Sequence, residues 1–303
     1  MSHTSDTIPE GLTPPRLQGA PAPAPHGYWR QVLSRAAVDP VTVTCAALLM
    51  LLLLVAFLAP YISPADPNQT SIVRRLKPIG TPGYPLGTDE LGRDMLSRLI
   101  HGTRLSLFMG IAPVLIALFI GTILGVTAGY VGGWLNTIIM RLTDVFFAFP
   151  SVLLAVAISG ALGAGIGNAI LSLTIVFIPP ITRVAESVTT QIRNADFLDA
   201  ARASGVGTAT IVRVHVLRNV LGPIFVYATS LISVSMIIAS GLSFLGIGVE
   251  PPNAEWGLML NTLRPAIFVN PYIAALPGMM IFITSICFSL FSDGMRAAME
   301  VKS

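Results

Sequence analysis

The feature that most restricts this chain is the run from Val41 to Ile62, VTVTCAALLMLLLLVAFLAPYI, which contains no charged residue. About 20 apolar residues in helical form span the hydrocarbon of a bilayer, where only helices and closed barrels satisfy every backbone polar group. Such runs recur. Leu105–Val131 holds Pro113 and several glycines, Leu142–Leu162 carries Asp144 near its start and Pro150 within, and Ala164–Thr182 bends near its end at Pro179-Pro180. Val220–Ile247 and Phe268–Ser292 complete six spans. With 53% hydrophobic and 11% charged residues in 303 positions, no soluble core could enclose this much apolar surface. The expected fold class is an all-α polytopic membrane protein of six transmembrane helices. The short segment Gly160–Gly167, GALGAGIG, joins the third and fourth spans as an antiparallel hairpin.

The first 27 residues are rich in Pro, Ser, Thr and Ala and lack an apolar h-region, so they read as a disordered tail rather than a signal peptide. Tyr28–Ala37 reads as a short interfacial helix, with Trp29, Arg30 and Arg35 at headgroup level. An even span count places both termini on one side. Arg16, Arg30 and Arg35, then Arg193, Arg202, Arg213 and Arg218, then Arg296 and Lys302 all fall on that side, which the positive-inside rule makes the cytoplasm. The first external loop, with Arg74, Arg75, Lys77, Arg93 and Arg98, runs against this bias. It is about 40 residues long, and charge bias weakens in longer loops. The net charge of +3 reflects these flanks and indicates no nucleic-acid partner. Cys45 and Cys287 lie inside apolar runs and read as small buried hydrophobes rather than a disulfide.

Familiar chemistry is missing. There is no GxxxxGK[ST] loop, and the only lysines are Lys77 and Lys302, so the chain should not hydrolyse ATP by itself. HExxH, GxSxG and Cys/His clusters of metal spacing are absent, and no catalytic, cofactor-binding or metal-ligating residue is assigned. His101 and His215 are isolated. Arg141 and Asp144, three residues apart on one helical face at the edge of a span, read as a neutralised interfacial ion pair. A carrier coupled to H⁺ or Na⁺ would show more carboxylates at mid-membrane depth.

Three polar segments stand out. In DAARASGVGTATIVRVHVLRN, Asp199–Asn219, the carboxylates of Asp196 and Asp199 suit a first helical turn. Ala200 and Ala201 give that helix a flat face, Gly205 ends it, and a second helix from about Thr208 carries Arg213 and Arg218 toward the fifth span. From the residues alone, a docking element and a plain amphipathic connector are equally good readings. Asp89–Leu107 reads as an amphipathic helix on the outer surface, with apolar Leu91, Met95 and Leu99 set among Arg93, Asp94 and Arg98; it is an anchor or, as the alternative, a substrate contact. In Gly241–Asn261, Gly246 and Gly248 loosen a helix end, Pro251-Pro252 stops it, and Trp256 is expected in the far headgroup layer. That segment is a simple interfacial loop or, more sharply, a gate or receptor-facing lip.

The segment Asp199-Ala200-Ala201, with Gly205 four positions on and Val216-Leu217 at its end, resembles the EAA loop of ABC importer permeases. Asp199 stands where Glu is usual and Arg218 where Pro is usual. The second departure bears on the local break at the entry to the fifth span and leaves the docking role untouched. Tyr84–Leu107 (YPLGTDELGRDMLSRLIHGTRLSL), Gly132–Ser151 (GGWLNTIIMRLTDVFFAFPS) and Gly241–Asn261 are similar to the C-type permease subunit of the peptide and nickel importer branch. The resemblance implies a type I ABC importer permease fold with a cytoplasmic coupling helix between spans four and five. It implies a cytoplasmic tail at 1–27, an interfacial helix, first span and external loop at 28–103, a permease core at 104–296, and a cytoplasmic C-terminus at 297–303. The ATPase-coupling residues it implies are Asp199, Ala200, Ala201, Arg202, Gly205, Val216 and Leu217. Implied partners are a homologous second permease, two cytoplasmic ATPases, an external solute-binding protein and the lipid bilayer, with no cofactor. The implied cargo is a di- or oligopeptide crossing a bacterial inner membrane. Nickel or another small solute is the alternative, and ion-coupled secondary transport is the reading from a different class.

Overall fold

The computed structural model describes residues 28–299. The tail expected before Tyr28, the side chain of Trp29 and the end of the chain from residue 300 lie outside the described residues. Within them the architecture is helical, with only two isolated bridges, Thr81 to Tyr84 and Thr88 to Asp94. The helices are α1 (Tyr28–Ala36), α2 (Pro40–Ile62), α3 (Met95–Val131), α4 (Gly133–Phe147), α5 (Ser151–Leu162) and α6 (Ile166–Ile192). They continue with α7 (Asp196–Ala203), α8 (Thr208–Thr210), α9 (Leu217–Phe244), α10 (Trp256–Thr262) and α11 (Pro271–Met299). Five helical units are long and apolar enough to cross a membrane: α2, α3, α6, the continuous unit Thr208–Phe244, and α11. The sixth candidate is the pair α4 and α5, long and apolar enough only when taken together. The expected kink at Pro150 is an 86° bend between α4 and α5, and α4 starts well before Leu142, at Gly133. Proline cannot continue the hydrogen-bond ladder, and Ala148–Pro150 separates two helices rather than bending one.

Helix α3 absorbs the segment expected to lie on the surface. Asp94 caps it by accepting the Ser97 amide at 2.9 Å, and 37 residues follow without a break, about 55 Å at 1.5 Å per residue. Pro113 lies within this helix without ending it. Met95, Arg98 and Leu99 are buried, whereas Leu91 is exposed. The separate amphipathic helix over Asp89–Leu107 is therefore not formed.

The most extensive helix pairing among the described residues joins α3 to α6. Gly121, Gly125 and Gly129 lie one turn apart on one face of α3, and there the α6 backbone approaches closely. A Cβ on Gly125 would stand 2.4 Å from the Thr182 carbonyl oxygen and 2.5 Å from Ala185 Cβ. Between helices in lipid, such small-residue faces replace the hydrophobic drive that water supplies elsewhere. Helix α6 runs on past Thr182 to Ile192, because its later polar side chains find partners: Glu186 Oε1 accepts from Asn136 Nδ2 at 2.7 Å and Thr190 Oγ1 at 3.0 Å.

The helices define two ends. At one lie the α5–α6 turn, the exit of α9 and α10: Gly165 N–H donates to the Gly248 carbonyl at 2.8 Å, and Ser159 Oγ donates to the Ile247 carbonyl at 2.7 Å. At the opposite end lie α7 and the last turns of α3 and α6. Val32 and Ala36 of α1 pack against Ala298 of α11, so both ends of the described chain lie at the α7 end. Cys45 and Cys287 are buried and unbonded.

Trp256, expected at a headgroup layer, has its ring inside the protein. It is fully buried, its indole N–H donating to the Leu99 carbonyl at 3.2 Å and its backbone N–H to Ser106 Oγ at 3.0 Å. The first turns of α3 provide the seat: a Cβ on Gly102 would stand 2.9 Å from Trp256 Cδ1. After Pro251-Pro252 the chain folds back onto α3, which places the indole inside the protein.

Candidate functional site

Helix α7 is short, with an exposed and a buried side. Leu198 is fully buried; Asp199, Ala200, Arg202 and Gly205 are exposed, and Ala201 is half-buried. The helix ends in a Schellman motif. Gly205 N–H donates to the Arg202 carbonyl at 3.0 Å and Val206 N–H to the Ala201 carbonyl at 3.2 Å, which satisfies two final carbonyls. Gly205 takes φ +75° and has no atom within 4 Å of a built Cβ. Conformation, not crowding, calls for glycine here, and the space outside it is open.

Arg202 ties this helix to the bundle. Its Nη1 meets Asp199 Oδ1 at 2.6 Å, its Nη2 donates to the Arg193 carbonyl at 3.0 Å, and its guanidinium lies 5.8 Å from the Tyr130 ring centroid at the end of α3. Arg193, just past α6, lies against Gly132, where a Cβ would fall 2.1 Å from Nη1. The loop is thus tied to the ends of both α3 and α6.

The chain then enters α8 and a π-helical segment, Ile211–Val216, that runs straight into α9. No break precedes the fifth span; Arg218 sits exposed in the first turn of α9, where it continues the ladder that a proline would interrupt. The sequence-selected residues therefore separate into two groups. Asp199, Ala200, Arg202 and Gly205 share the open surface, while Val216 is buried and Leu217 half-buried beneath it. Leu198 and Ile211, both fully buried, are anchors that the sequence reading passed over. Their signal was an apolar residue amid Asp196, Asp199 and Arg202, and another three residues into a polar run.

Asp144 does not pair with Arg141. It contacts Arg183 of α6, a residue the span boundary at Thr182 had hidden, and Arg183 also lies over Phe147, 4.4 Å from the ring centroid. Both charged side chains are about half exposed. The pair fastens α4, just before the 86° bend, to α6.

The far end carries a buried ionic cluster. Arg93 Nε lies 2.6 Å from Asp89 Oδ2, its Nη2 2.9 Å from Glu90 Oε1, and Arg98 Nε 3.3 Å from the same Asp89 oxygen. Burial first, and the adjacent Asp89 second, raise the pKa of Glu90. Glu255 caps α10 by accepting the Gly257 and Leu258 amides at 2.9 and 2.8 Å, and burial pushes its pKa up despite these bonds. Among the described residues no group of His, Cys, Asp and Glu is placed to hold a metal ion.

Residues 121–302 match the family described as "Binding-protein-dependent transport system inner membrane component", which takes in the bend, α6, the α7 loop, α9 and α11. The chain belongs to this family. Residues 27–78 match a second description, "N-terminal TM domain of oligopeptide transport permease C". Similar relatives include the glutathione transport system permease protein GsiD of Pectobacterium atrosepticum, 39% identical over 90% of this chain and 91% of that protein. Others are the di/tripeptide transport system permease protein DppC of Pseudomonas aeruginosa, 41% identical over 84% and 86%, and the Escherichia coli glutathione permease protein, 38% identical over 91% and 90%. These matches show an oligopeptide-type permease of the C-subunit kind, the branch that the sequence resemblance implied.

Proposed function

We propose that this chain is the transmembrane permease subunit of an ATP-driven importer that carries short peptides across a bacterial inner membrane. The relatives' printed substrates, glutathione and di- or tripeptides, support the peptide class. It works with a homologous second permease, two cytoplasmic ATPases and an external solute-binding protein, and it catalyses no reaction of its own. The tail and C-terminus face the cytoplasm with α7, on the side that the basic residues mark. The division at residue 28 separates tail from anchor, whereas those at 104 and 297 fall inside α3 and α11, so anchor, core and end share continuous helices.

The observation that carries this reading is the open surface of Asp199, Ala200, Arg202 and Gly205, held on the bundle by buried Leu198. A partner that grips this surface moves α7, and Ala201, Val216 and Leu217 pass that motion into the core. Closure of the ATPases then rocks the spans between inward- and outward-open states, which the chain cannot power alone. The test is uptake by the assembled importer carrying Gly205→Trp, Gly205→Asn or wild-type permease. Gly205→Trp fills the open space and is expected to abolish uptake while insertion and subunit assembly persist. Gly205→Asn, which tolerates φ near +75°, retains most uptake. Wild-type uptake by the tryptophan variant would remove the coupling role.

A further inference from the structure

At the end opposite α7, a cleft of ≈ 460 Å³ opens between α3 and two loops. Its α3 wall presents His101, Arg104 and Phe108 along one face, and its rims are Pro67-Asn68 and Asn253. Sites for small molecules run from about 300 to 1,000 Å³ and combine apolar walls with a few fixed polar groups. Three observations give this cleft a ligand chemistry.

The first is charge. Arg104 is exposed at the cleft and, among the described residues, makes no ion pair, whereas Arg93 and Arg98 are both paired with acids. The acid nearest in sequence to the rim, Asp66, accepts the Asn68 amide at 2.8 Å through Oδ1. The second is rigidity. Buried Arg98 donates from Nη1 to the Pro67 carbonyl at 3.0 Å and from Nη2 to the Asn253 carbonyl at 3.3 Å, so one guanidinium braces both rims. A cleft held open this way costs little ordering when a ligand enters. The third is position. Arg104 immediately precedes the uncharged stretch of α3, at the mouth of the span.

We propose that this cleft receives the carboxylate of an incoming short peptide, with Arg104 as its charge partner and Asn68 and Asn253 as neutral hydrogen-bonding rims. The proposal rests on the peptide reading above and names a residue that discriminates substrate. Guanidinium offers two parallel N–H donors to a carboxylate, which no neutral C-terminus matches.

The test uses the complete importer in proteoliposomes, taking up a tripeptide and its C-terminal amide. Arg104→Gln is expected to lower kcat/KM for the free acid about tenfold or more, the span of a lost charge-assisted bond, and to leave the amide within about twofold. Arg104→Lys falls between. Equal losses for acid and amide would overturn the proposal and point to docking of the external binding protein or to a lipid phosphate on Arg104. No loss would overturn it as well. A photo-cross-linking residue at Phe108 gives a second readout that does not depend on the amide being carried: labelled free-acid peptide should attach there, and Arg104→Gln should abolish attachment. Absence of attachment in the Arg104 background counts against the cleft. If the wild-type importer carries no peptide at all, the peptide reading fails first, a result distinct from peptide uptake indifferent to Arg104.

Discussion

Gly125→Ala is the sharpest probe of the α3–α6 seam. Ordinary contact for a Cβ begins at 3.4 Å, whereas here it would meet the Thr182 carbonyl oxygen at 2.4 Å and the Glu186 amide nitrogen at 2.8 Å. Both are backbone atoms of α6, so no rotamer change relieves the overlap and the helices must part by about 1 Å. Overpacking of this kind costs about 1–3 kcal/mol. The better helix propensity of alanine returns about 1 kcal/mol. Gly160 in α5 supplies the control, since nothing lies within 4 Å of its built Cβ and only the propensity gain applies. The expected order of stability is Gly160→Ala at or above wild type, then Gly121→Ala, Gly129→Ala and lastly Gly125→Ala. Gly121 precedes because its nearest backbone contact, the Ile178 carbonyl oxygen, stands at 3.1 Å behind Ile181 Cγ2 and Cβ at 2.9 and 3.0 Å, while at Gly129 the Glu186 carbonyl oxygen stands at 2.8 Å. Equilibrium unfolding of the purified permease in mixed micelles measures the series. Gly125→Ala unfolding at or beyond Gly160→Ala would refute the close approach of the two backbones.

Two further substitutions test other parts of the fold. Trp256→Ala removes a fully buried indole and its hydrogen bond to Leu99, and should cost about 3–5 kcal/mol in the same unfolding assay, with Trp256→Phe costing less; near-neutral alanine would place the ring at the surface after all. A double-mutant cycle on Asp144→Asn and Arg183→Gln should give a coupling of about 1 kcal/mol or less, since both side chains are half exposed; a coupling above about 3 kcal/mol would mean that the pair is enclosed rather than hydrated.

The long apolar helices were legible because a bilayer demands a length and a composition that stand plainly in the sequence. Their ends were less so, because hydropathy fades before a helix does. Span two was placed from Leu105, yet α3 begins at Met95, where Arg98 is neutralised by Asp89 from a loop the run does not include. A span ending at Thr182 leaves out the charge of Arg183, yet α6 runs on for nearly three more turns to Ile192, with Asp144 meeting that charge. The depth of Trp256 depends on a chain reversal and on Gly102 far away in sequence; neither leaves a local pattern. The Gly205 terminator could be read locally, since a left-handed residue closing a polar helix is a property of its own neighbours. Which side of α7 faces out depended on Leu198 reaching the core, a tertiary fact.

Helix α3 connects the two ends of the molecule physically. Arg104 stands at the cleft and Tyr130 beside α7, about 39 Å apart along one uninterrupted helix. At Gly121, Gly125 and Gly129 the α6 backbone comes within contact distance of α3, so the two helices are joined along this stretch with no room for a side chain between them. Helix α7 follows α6 after only Arg193–Ala195, and its Arg202 rests by Tyr130. In the coupling proposed above, a displacement of α7 reaches the cleft through the α3–α6 pair. Outside this pair the regular ladder is interrupted at the 86° bend between α4 and α5 and re-registered in the π-helical segment Ile211–Val216. The Asp144–Arg183 contact crosses from the end of α4 to α6, next to the first of these breaks, and as a half-exposed pair it adds only a weak tie there.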